Sequence, residues 1–464
     1  MLALAKRSTP EQLLARSAQR ALLAAKHAAQ VSSAYRTLLG EHKVAWREFG
    51  RNIALSDLPI LTKSNTFERF ELAQLCRPLA PQNFADVLTS SGRGGQSFGF
   101  RITTHKQFRR AWFEIDLGLQ DAFDVDTKPT LLVNCLPMGV VLNSRATTVA
   151  NLSVREDMAC AILRNVGKRY AQTLLCTDPL FIRRLLDQAQ TVQVDWAALN
   201  TSVIVGEEML AEAQRDFIAL KMGIDLSQPN GRTIISSFGI GELGLNLLFE
   251  TRETVRMRRA LRENAKSAAA VLTNGSKSGA IPSIFCFNPL RCHIEVLNPG
   301  SDGFGELCFT MLDREAVIPL PRYSTGDLGR LMSPENVRLA SRLAGTSSPW
   351  LPVVAVKGRL KDRSGAGLAV EDVKELIYQD AAVADLLTGA FRIVNHANGP
   401  SALTIQANTS VEASILAAEQ QLSQTFAKNH CRPVQLSVVS ATSFPHRPTL
   451  DFERKFAYVD LGTN

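Results

Sequence analysis

The sequence lacks any apolar run long enough to cross a membrane. Its 464 residues contain no stretch of 18 apolar residues, about the shortest length typical of a membrane-spanning helix. Within residues 1–30 charges interrupt every apolar stretch and no small-residue cleavage site follows one, unlike a signal peptide. Few acidic residues occur there, which leaves a transit peptide as an alternative, but Thr9, Pro10 and Gln12 predict the capped start of an amphipathic helix. We therefore expect a cytoplasmic protein without a membrane partner.

A nucleic-acid-binding pattern is also missing. Aromatic residues make up 7% of the chain, and no basic stripe is interleaved with them. The 52 Lys and Arg residues nevertheless outnumber the 44 Asp and Glu residues, which gives a formal net charge of +8. A positive field raises the local concentration of anions. We therefore expect an anionic partner such as a nucleotide, coenzyme A or a carrier protein, and no nucleic acid.

Cysteine is scarce and scattered. The eight cysteines mostly lie in apolar runs such as LLVNC and QTLLC. This distribution is typical of buried, reduced thiols in a cytosolic protein, because disulfides persist mainly in oxidising compartments.

Alternating strand and helix patterns occupy the middle of the chain, whose length predicts two or three folding units. Short apolar runs predict buried strands at 130–136, 172–176, 202–206 and 233–238. Helical patterns separate them at 108–123, 179–190 and 208–222. Such alternation predicts α/β layers with a largely parallel sheet. From about 290 to 335 the pattern changes to short β-like pieces with many Gly and Pro.

The last hundred or so residues predict a separate small α+β unit. A helix over 369–379 precedes two strands, FRIVNHA and SALTIQA; a second helix and a third strand, PVQLSVVSA, follow. We place the boundary near Lys357–Asp362, which divides the chain into residues 1–360 and 361–464, the smaller unit having a three-stranded sheet.

Three segments carry residues suited to binding a nucleotide. In LTSSGRGGQSFGF (88–100) small residues free backbone N–H groups to converge on an anion, although most such loops are plain turns. In SFGIGELG (237–244) an aromatic could stack on a purine and a carboxylate could hold Mg²⁺; equally, the segment could be a strand end with a solvated Glu. RYSTGD (322–327) places a carboxylate at a tight Gly turn, where it can accept hydrogen bonds from both ribose hydroxyls. The segment VKGRLKDR (356–363) follows at the proposed boundary.

In this order and spacing, the four segments resemble the adenylate-forming superfamily of acyl-CoA synthetases, peptide-synthetase adenylation domains and luciferases. Within it they are most similar to the phenylacetate-CoA ligase-like branch, which SSAYRTLL near residue 35, LPILTKSNTFERF at 58–70 and REAVIPLPRYSTGDL also resemble. VIVGEEML at 203–210 resembles the superfamily's G-G-E element. The similarity covers nearly the whole chain. It implies an α/β fold with a large, layered N-terminal domain and a small, mobile α+β C-terminal lid domain.

The resemblance also implies roles for individual residues. The phosphate loop would consist of Ser90, Ser91, Gly92, Gly94 and Gly95. Phe238 and Gly239 would line the adenine, Glu242 would bind magnesium, and Asp327 would hold the ribose with help from Arg359. Lys361 falls at the hinge between the domains.

Family members end with a lysine that bridges the substrate carboxylate and the α-phosphate, and Lys455 is the candidate here; the alternative is a surface lysine on a terminal strand. The sequence departs from the family pattern because no glycine precedes Lys455. In the phosphate loop, Arg93 replaces a hydroxyl residue and Gln96 stands where a lysine is usual. Arg93 could supply that catalytic cation, since its planar fork suits phosphate oxygens.

Some relatives carry zinc, and Cys286, Cys292, His293 and Cys308 offer ligand types in the corresponding region. Their spacing is irregular, and neighbouring residues of a strand such as Cys292 and His293 point to opposite faces. We expect buried thiols here rather than zinc.

The resemblance implies an enzyme that uses ATP and magnesium to join a carboxylic acid, aromatic or cyclic by analogy, to an acceptor through an acyl-adenylate. The acceptor is the thiol of coenzyme A or of a carrier protein's phosphopantetheine. Alternatively it is the amine of an amino acid, as in ligases that resemble coronafacate ligase. A third alternative is a non-catalytic binding protein that retains the fold.

Overall fold

The computed structural model describes residues 7–48, 53–90, 98–274, 280–360, 368–394, 401–429, 434–445 and 450–460. These residues form fourteen α-helices and seventeen strands. The helices are α1 (Pro10–Val31), α2 (Ser33–Glu41), α3 (Leu72–Leu75), α4 (His105–Phe108), α5 (Ala111–Phe123), α6 (Glu156–Asn165), α7 (Phe181–Thr191), α8 (Glu212–Met222), α9 (Arg252–Glu263), α10 (Ala265–Leu272), α11 (Pro334–Leu343), α12 (Val370–Ile377), α13 (Ala381–Asp385) and α14 (Glu412–Lys428). None of the helices in these ranges is both long and apolar enough to cross a membrane.

The strands form one sheet of eleven, one of four and one of two. They are β1 (Phe84–Thr89), β2 (Phe100–Thr104), β3 (Thr130–Asn134), β4 (Thr148–Asn151), β5 (Gln172–Thr177), β6 (Thr201–Val205), β7 (Ile234–Ile240), β8 (Gly244–Phe249), β9 (Ser283–Phe287), β10 (Cys292–Leu297), β11 (Gly305–Met311), β12 (Tyr323–Leu331), β13 (Val353–Arg359), β14 (Leu387–Val394), β15 (Ser401–Ala407), β16 (Val434–Val439) and β17 (Val459–Asp460). In the large sheet their order is β10-β11-β12-β13-β9-β8-β7-β6-β5-β3-β4.

The expected parallel arrangement holds for only one half of the large sheet. Strands β4, β3, β5, β6 and β7 pair in parallel, and α7 and α8 lie between consecutive strands as predicted. From β7 onward every pair in the sheet is antiparallel. A three-residue turn joins β7 to β8, too short for the helical crossover that parallel pairing requires. The sheet is therefore mixed, and its two halves meet at β7.

Local sequence signals account for several helix boundaries. At the start of α1 the Thr9 hydroxyl accepts a hydrogen bond from the backbone N–H of Gln12, whose side chain accepts one from the Thr9 N–H, which confirms the predicted capping box. The helix predicted over 108–123 is instead two helices, α4 and α5, with a break at Arg109–Arg110. Helix α4 begins before residue 108 because Thr104 and Gln107 form a capping box at its N-terminus.

The C-terminal sheet has four strands in the order β16-β15-β14-β17, which corrects the prediction of three. The added strand, β17, has two residues and pairs in parallel with β14. Two residues cannot show the alternation that identifies a strand in a sequence. This strand follows Lys455 closely and holds the end of the chain against the C-terminal sheet.

The C-terminal region packs against α7 and α8 of the N-terminal region. The ring of Phe217 lies 5.3 Å from that of Tyr378, and the ring of Phe181 lies 5.4 Å from that of Phe452. The Asp385 carboxylate pairs with both Arg183, at 2.8 Å, and Lys221, at 2.6 Å. A single apolar core therefore continues from the parallel half of the large sheet into the C-terminal region.

Candidate active site

A cavity of about 560 Å³ lies where loops from both regions meet. Five of the predicted site residues line it: Ser90, Gly239, Glu242, Arg359 and Lys455. They come from four separate segments of the sequence, since Gly239 and Glu242 share one, so the fold brings them together.

Glu242 occupies the turn between β7 and β8 and is 7% exposed. Its Oε1 atom lies 3.1 Å from the Lys63 ammonium and accepts a hydrogen bond from the Tyr323 hydroxyl at 3.3 Å. Lys63 also donates to the hydroxyl of Ser90 at 2.8 Å. Burial acts to raise the pKa of Glu242, but the Lys63 ammonium and the Ser90 hydroxyl outweigh it and hold that pKa below its ordinary value. The carboxylate is therefore ionised at neutral pH, as a magnesium ligand must be.

A single carboxylate combined with substrate phosphates is a common way to bind Mg²⁺, and Glu242 fits that pattern. Among the described residues, no group of three or more His, Cys, Asp or Glu side chains could hold a metal ion alone. Glu242 could therefore contribute one carboxylate ligand to a metal ion.

Two glycines allow the loop around Ser90 to approach Glu242 closely. A Cβ atom on Gly241 would lie 2.8 Å from the Cα of Ser90, and one on Gly99 would collide with the Glu242 side chain. The backbone N–H of Gly99 in turn donates to the Ser90 hydroxyl at 3.0 Å. Ser90 therefore lies against Glu242 because both neighbouring positions lack a side chain.

Asp327 and Arg359 form a second polar pair, on paired strands. They are direct partners in the β12–β13 register, and the Arg359 Nε lies 3.2 Å from Asp327 Oδ1. Asp327 is 2% exposed, and its other carboxylate oxygen accepts a hydrogen bond from the Thr325 hydroxyl. Asp327 raises the pKa of Arg359 above its ordinary value.

The sequence predicted a tight turn at Gly326, but this glycine lies within β12, with a φ of +77°, where the register of β11 and β12 shifts between Glu306 and Cys308. The RYSTGD motif is therefore an irregularity inside a strand, which glycine tolerates because it has no Cβ.

Phe238 and Gly239 line a narrower cavity of about 80 Å³, together with Asp327 and Arg359. The Phe238 ring is nearly parallel to that of Phe309, at 20°, with a centroid distance of 6.4 Å. A Cβ on Gly239 would lie 3.1 Å from the Cα of Leu245. The residues expected around the adenine and ribose thus lie next to one another.

Lys455 reaches the cavity from the C-terminal region. Its ammonium lies 3.2 Å from the Glu207 carboxylate, and its side chain is 21% exposed. Glu207 has a φ of +69°, which is rare for a residue with a side chain and typical of functional turns. Two residues before Lys455, the Glu453 carboxylate accepts hydrogen bonds from the Met138 N–H at 2.7 Å and from the Ser153 hydroxyl at 2.6 Å. Lys455 is therefore a partly buried, ion-paired side chain rather than a free surface lysine.

A buried polar cluster lies beside this contact. The Glu208 carboxylate accepts hydrogen bonds from Lys374, at 2.7 Å, and from the Tyr458 hydroxyl, at 2.9 Å, both of which belong to the C-terminal region. Nearby, Asp178 accepts backbone N–H donors with one carboxylate oxygen, while the other oxygen is buried without a partner. Burial and the Glu208 charge raise the pKa of Asp178 to about 7.

Several predicted site residues lie outside the described residues. These are the phosphate-loop residues Ser91, Gly92, Arg93, Gly94 and Gly95, and the hinge residue Lys361. Their roles stay predictions.

Sequence reasoning missed Lys63 and Glu207. Lys63 belongs to the segment LTKSNTF, which drew notice only as a family resemblance, and no periodicity marks it as functional. It reaches the cavity because Leu61 exchanges backbone hydrogen bonds of 2.8 Å with Arg322 and Ser324, next to the RYSTGD motif. Glu207 lies within the G-G-E-like element, shortly after a buried strand. That position is the sequence signal that could have marked it as a candidate site residue.

The cysteines considered as zinc ligands have other surroundings. Cys286, Cys292 and Cys308 are buried, and burial raises the pKa of the Cys292 thiol to about 12. His293 is hydrogen-bonded through Nδ1 to the hydroxyl of Ser17, at 2.8 Å.

No protein-family model and no curated protein sequence matches this chain significantly. Solved structures do match. 2-Hydroxyisobutyryl-CoA ligase in its postadenylation state, in complex with R3-HIB-AMP, aligns with a TM-score of 0.64 and 13% identity over 97% of this chain and 89% of that one. The same ligase in its thioesterification state, with 2-HIB-AMP and CoA, gives a TM-score of 0.53 and 13% identity over 96% and 89%.

A third structure, from studies of fatty acyl-adenylate ligases from E. coli and L. pneumophila, aligns with a TM-score of 0.50 and 15% identity, over 82% of this chain and 70% of that one. At such low identities the alignments establish architecture alone. Because the alignments span most of both chains, this protein has the fold of the adenylate-forming ligases.

Proposed function

We propose that this protein is an ATP-dependent ligase that converts a carboxylic acid to an acyl-adenylate and then transfers the acyl group to a thiol. The observation that carries the proposal is the convergence of Ser90, Glu242, Arg359 and Lys455 on one cavity, on a fold that is used for this reaction. The resemblance to the phenylacetate-CoA ligase-like branch belongs to the same proposal.

In the first half-reaction, a carboxylate oxygen attacks the α-phosphorus of ATP and pyrophosphate leaves. The protein's main task is to position the two anions and neutralise their charge. Lys455 would bridge the carboxylate and the α-phosphate, while Asp327, oriented by Arg359 and Thr325, would accept hydrogen bonds from the ribose hydroxyls. Magnesium on Glu242 would neutralise phosphate charge.

Lys63 would add a second fixed cation beside the phosphate loop. Its ammonium already contacts Ser90, the first residue of that loop, and Glu242. Gln96 stands where a loop lysine is usual in this superfamily. We propose that Lys63 and Arg93 together replace that missing charge.

The acceptor in the second half-reaction is, in our proposal, coenzyme A or a carrier-protein phosphopantetheine. The support is that the structural match that spans 97% of this chain is a CoA ligase by name. Transfer to an amine and a non-catalytic binding role are the alternatives that the experiment below separates.

We further propose that residues 361–464 move as a lid about Lys361 between the two half-reactions. The lid would carry Lys455 into the cavity for adenylation and out of it for acyl transfer. The higher TM-score with the postadenylation state supports assigning the present arrangement to the first step. Limited proteolysis should cut near the boundary, and less so with a bound acyl-adenylate analogue; equal protection in both states would count against a moving lid.

ATP–pyrophosphate exchange over a panel of acids tests the first half-reaction. We expect exchange with at least one acid, dependent on Mg²⁺. The activated acid is then offered coenzyme A, a phosphopantetheinylated carrier and amino acids in parallel. An amide product would replace the thiol proposal with an amine acceptor, and ATP binding without exchange for any acid would favour the non-catalytic alternative.

A further inference from the structure

A third cavity, of about 220 Å³, adjoins the candidate active site. The two cavities share Glu207, Gly239 and Leu245. Apolar side chains make up most of the wall of this third cavity, among them Ile115, Leu119, Leu136, Leu142, Ile204 and Phe249. An acid whose carboxylate lies beside Glu207 and Lys455 would therefore extend its apolar body into this space.

Glycine at position 118 helps to keep the cavity open. Gly118 lies inside α5 and lines the cavity, although glycine inside a helix costs up to about 1 kcal/mol relative to alanine. A Cβ atom there would lie 3.6 Å from the Asn246 side-chain amide on the opposite wall. An engineered apolar cavity of about 150 Å³ holds benzene, so the present volume suits a body of one or two rings.

Arg101, on β2, is one of the charged residues that line this cavity. Its Nε atom is buried and has no hydrogen-bond partner, and within the described part of the chain its guanidinium makes no ion pair. The other arginine of the wall, Arg291, is paired with Glu114 at 2.7 Å and donates to the Leu245 and Asn246 carbonyls. Asp86 and Glu114 attract Arg101 without forming an ion pair with it, while Arg291 repels it.

The Nε–H group of Arg101 lacks the acceptor that it would have in water. Leaving such a group unsatisfied costs free energy, and its cost is recovered when a ligand supplies an acceptor. Because burial and Arg291 disfavour the charged form, they lower the pKa of Arg101, and an acceptor would be bound all the more strongly. The geometry therefore calls for a polar group on the ligand at the end of the cavity that Arg101 lines.

We infer that the acid substrate has an apolar body of one or two rings and, remote from the reacting carboxylate, a hydrogen-bond acceptor such as a carbonyl or a second carboxylate that Arg101 binds. The inference rests on the proposed function and adds to it the chemical class of the acid. It makes Arg101 a specificity-determining residue.

Pairs of acids that differ only at the remote position test the inference. Cyclohexanecarboxylic acid and its 4-oxo and 4-carboxy derivatives form one such set, and phenylacetic acid with its 4-acetyl and 4-carboxy derivatives forms a second set. In pyrophosphate exchange we expect the acceptor-bearing member to have the higher kcat/KM by about 10- to 100-fold, the range for one charged hydrogen bond. Equal kcat/KM within every pair would overturn the inference and leave the proposed function intact, whereas no exchange with any acid would count against the function itself.

The variants Arg101→Met and Arg101→Lys separate recognition from folding. Arg101→Met should abolish the difference in kcat/KM between the members of each pair, and Arg101→Lys should keep part of that difference. Arg109→Met is the matched control, because Arg109 is exposed and lines neither cavity. The melting temperature of Arg101→Met should not fall, because no ion pair is lost. Equal losses for both members of a pair, or a lower melting temperature, would make Arg101 structural and overturn the inference.

Discussion

The N-terminal and C-terminal regions each contribute one lysine to the candidate active site, and the two lysines are held in different ways. Within the described residues, Lys63 contacts two N-terminal groups, Glu242 and Ser90, on loops that glycines bring together. Lys455 belongs to the C-terminal region but pairs with Glu207 of the N-terminal region. A relative movement of the two regions would break the Lys455 contact and leave the Lys63 contacts in place.

The contacts between the two regions also differ in kind between the α7–α8 surface and the cavity. Along α7 and α8 the C-terminal region packs with aromatic rings and the ion pairs of Asp385. At the cavity its contacts are charged or polar, through Glu453, Lys455 and Tyr458. Polar contacts can be exchanged for water at little cost, whereas separating apolar surfaces costs about 25 cal/mol per Å². A lid that rotates would thus keep part of the apolar contact and exchange the polar one.

The largest effect should come from Lys455→Ala. If the lysine acts only during adenylation, pyrophosphate exchange should fall about 10²–10³-fold, as when one electrostatic contact with a transition state is lost. Conversion of a chemically supplied acyl-adenylate to thioester should persist, because in the proposed lid movement the lysine would have left the cavity by then. Both half-reactions would be measured separately.

Lys428→Ala is the matched control, as it removes an exposed lysine from the same region. An equal loss in both half-reactions of Lys455→Ala would indicate a damaged C-terminal region and contradict the distinction between the two lysines.

The next largest effect should come from Glu242→Gln, which changes the N-terminal side of the cavity alone. The amide keeps the shape but removes the charge that would bind magnesium, so exchange should fall about 10²-fold. Raising the Mg²⁺ concentration should restore part of the activity. Glu335→Gln, at an exposed position of α11, is the control. Exchange near the wild-type rate would remove Glu242 from the site.

Lys63→Met should have a smaller effect on rate, about tenfold, but a distinctive effect on pH dependence. Lys63 holds the pKa of Glu242 below its ordinary value against the effect of burial. Without Lys63, burial should raise the pKa of Glu242, so activity at acidic pH should be lost at a higher pH than in the wild type. Lys26→Met, on the exposed face of α1, should shift neither rate nor profile. A change in rate without a shift of the acid limb would contradict the pairing of Lys63 with Glu242.

Lys63 also shows where sequence reasoning ends. Strands such as β3, β5 and β6 are continuous buried apolar runs that the sequence marks clearly. Asp327 and Glu242 belong to motifs whose order along the chain points to a nucleotide site. No motif or periodicity identifies Lys63 and Arg101 as functional residues, because Lys63 lies in a polar loop and Arg101 on a short strand. Their roles depend on which distant segments approach them, and a single sequence does not contain that information.

The smallest effect concerns Asp178, which lies at the contact between the two regions, beside Glu208 and Glu207. Its folded-state pKa of about 7 lies above the unfolded value, so the folded protein keeps a proton that the unfolded chain releases near pH 4. This contribution to stability is complete at low pH and is lost as the pH rises to about 7.

Asp178→Asn does not titrate, so the variant should gain melting temperature relative to the wild type at pH 8.5 and differ little at pH 5. Asp126→Asn, at an exposed position, should show no such pH-dependent difference. If the gain in melting temperature also weakens with a bound acyl-adenylate analogue, the titration of Asp178 is coupled to the docking of the C-terminal region. A difference in melting temperature between variant and wild type that is constant across pH would instead show that the carboxyl is already ionised when buried.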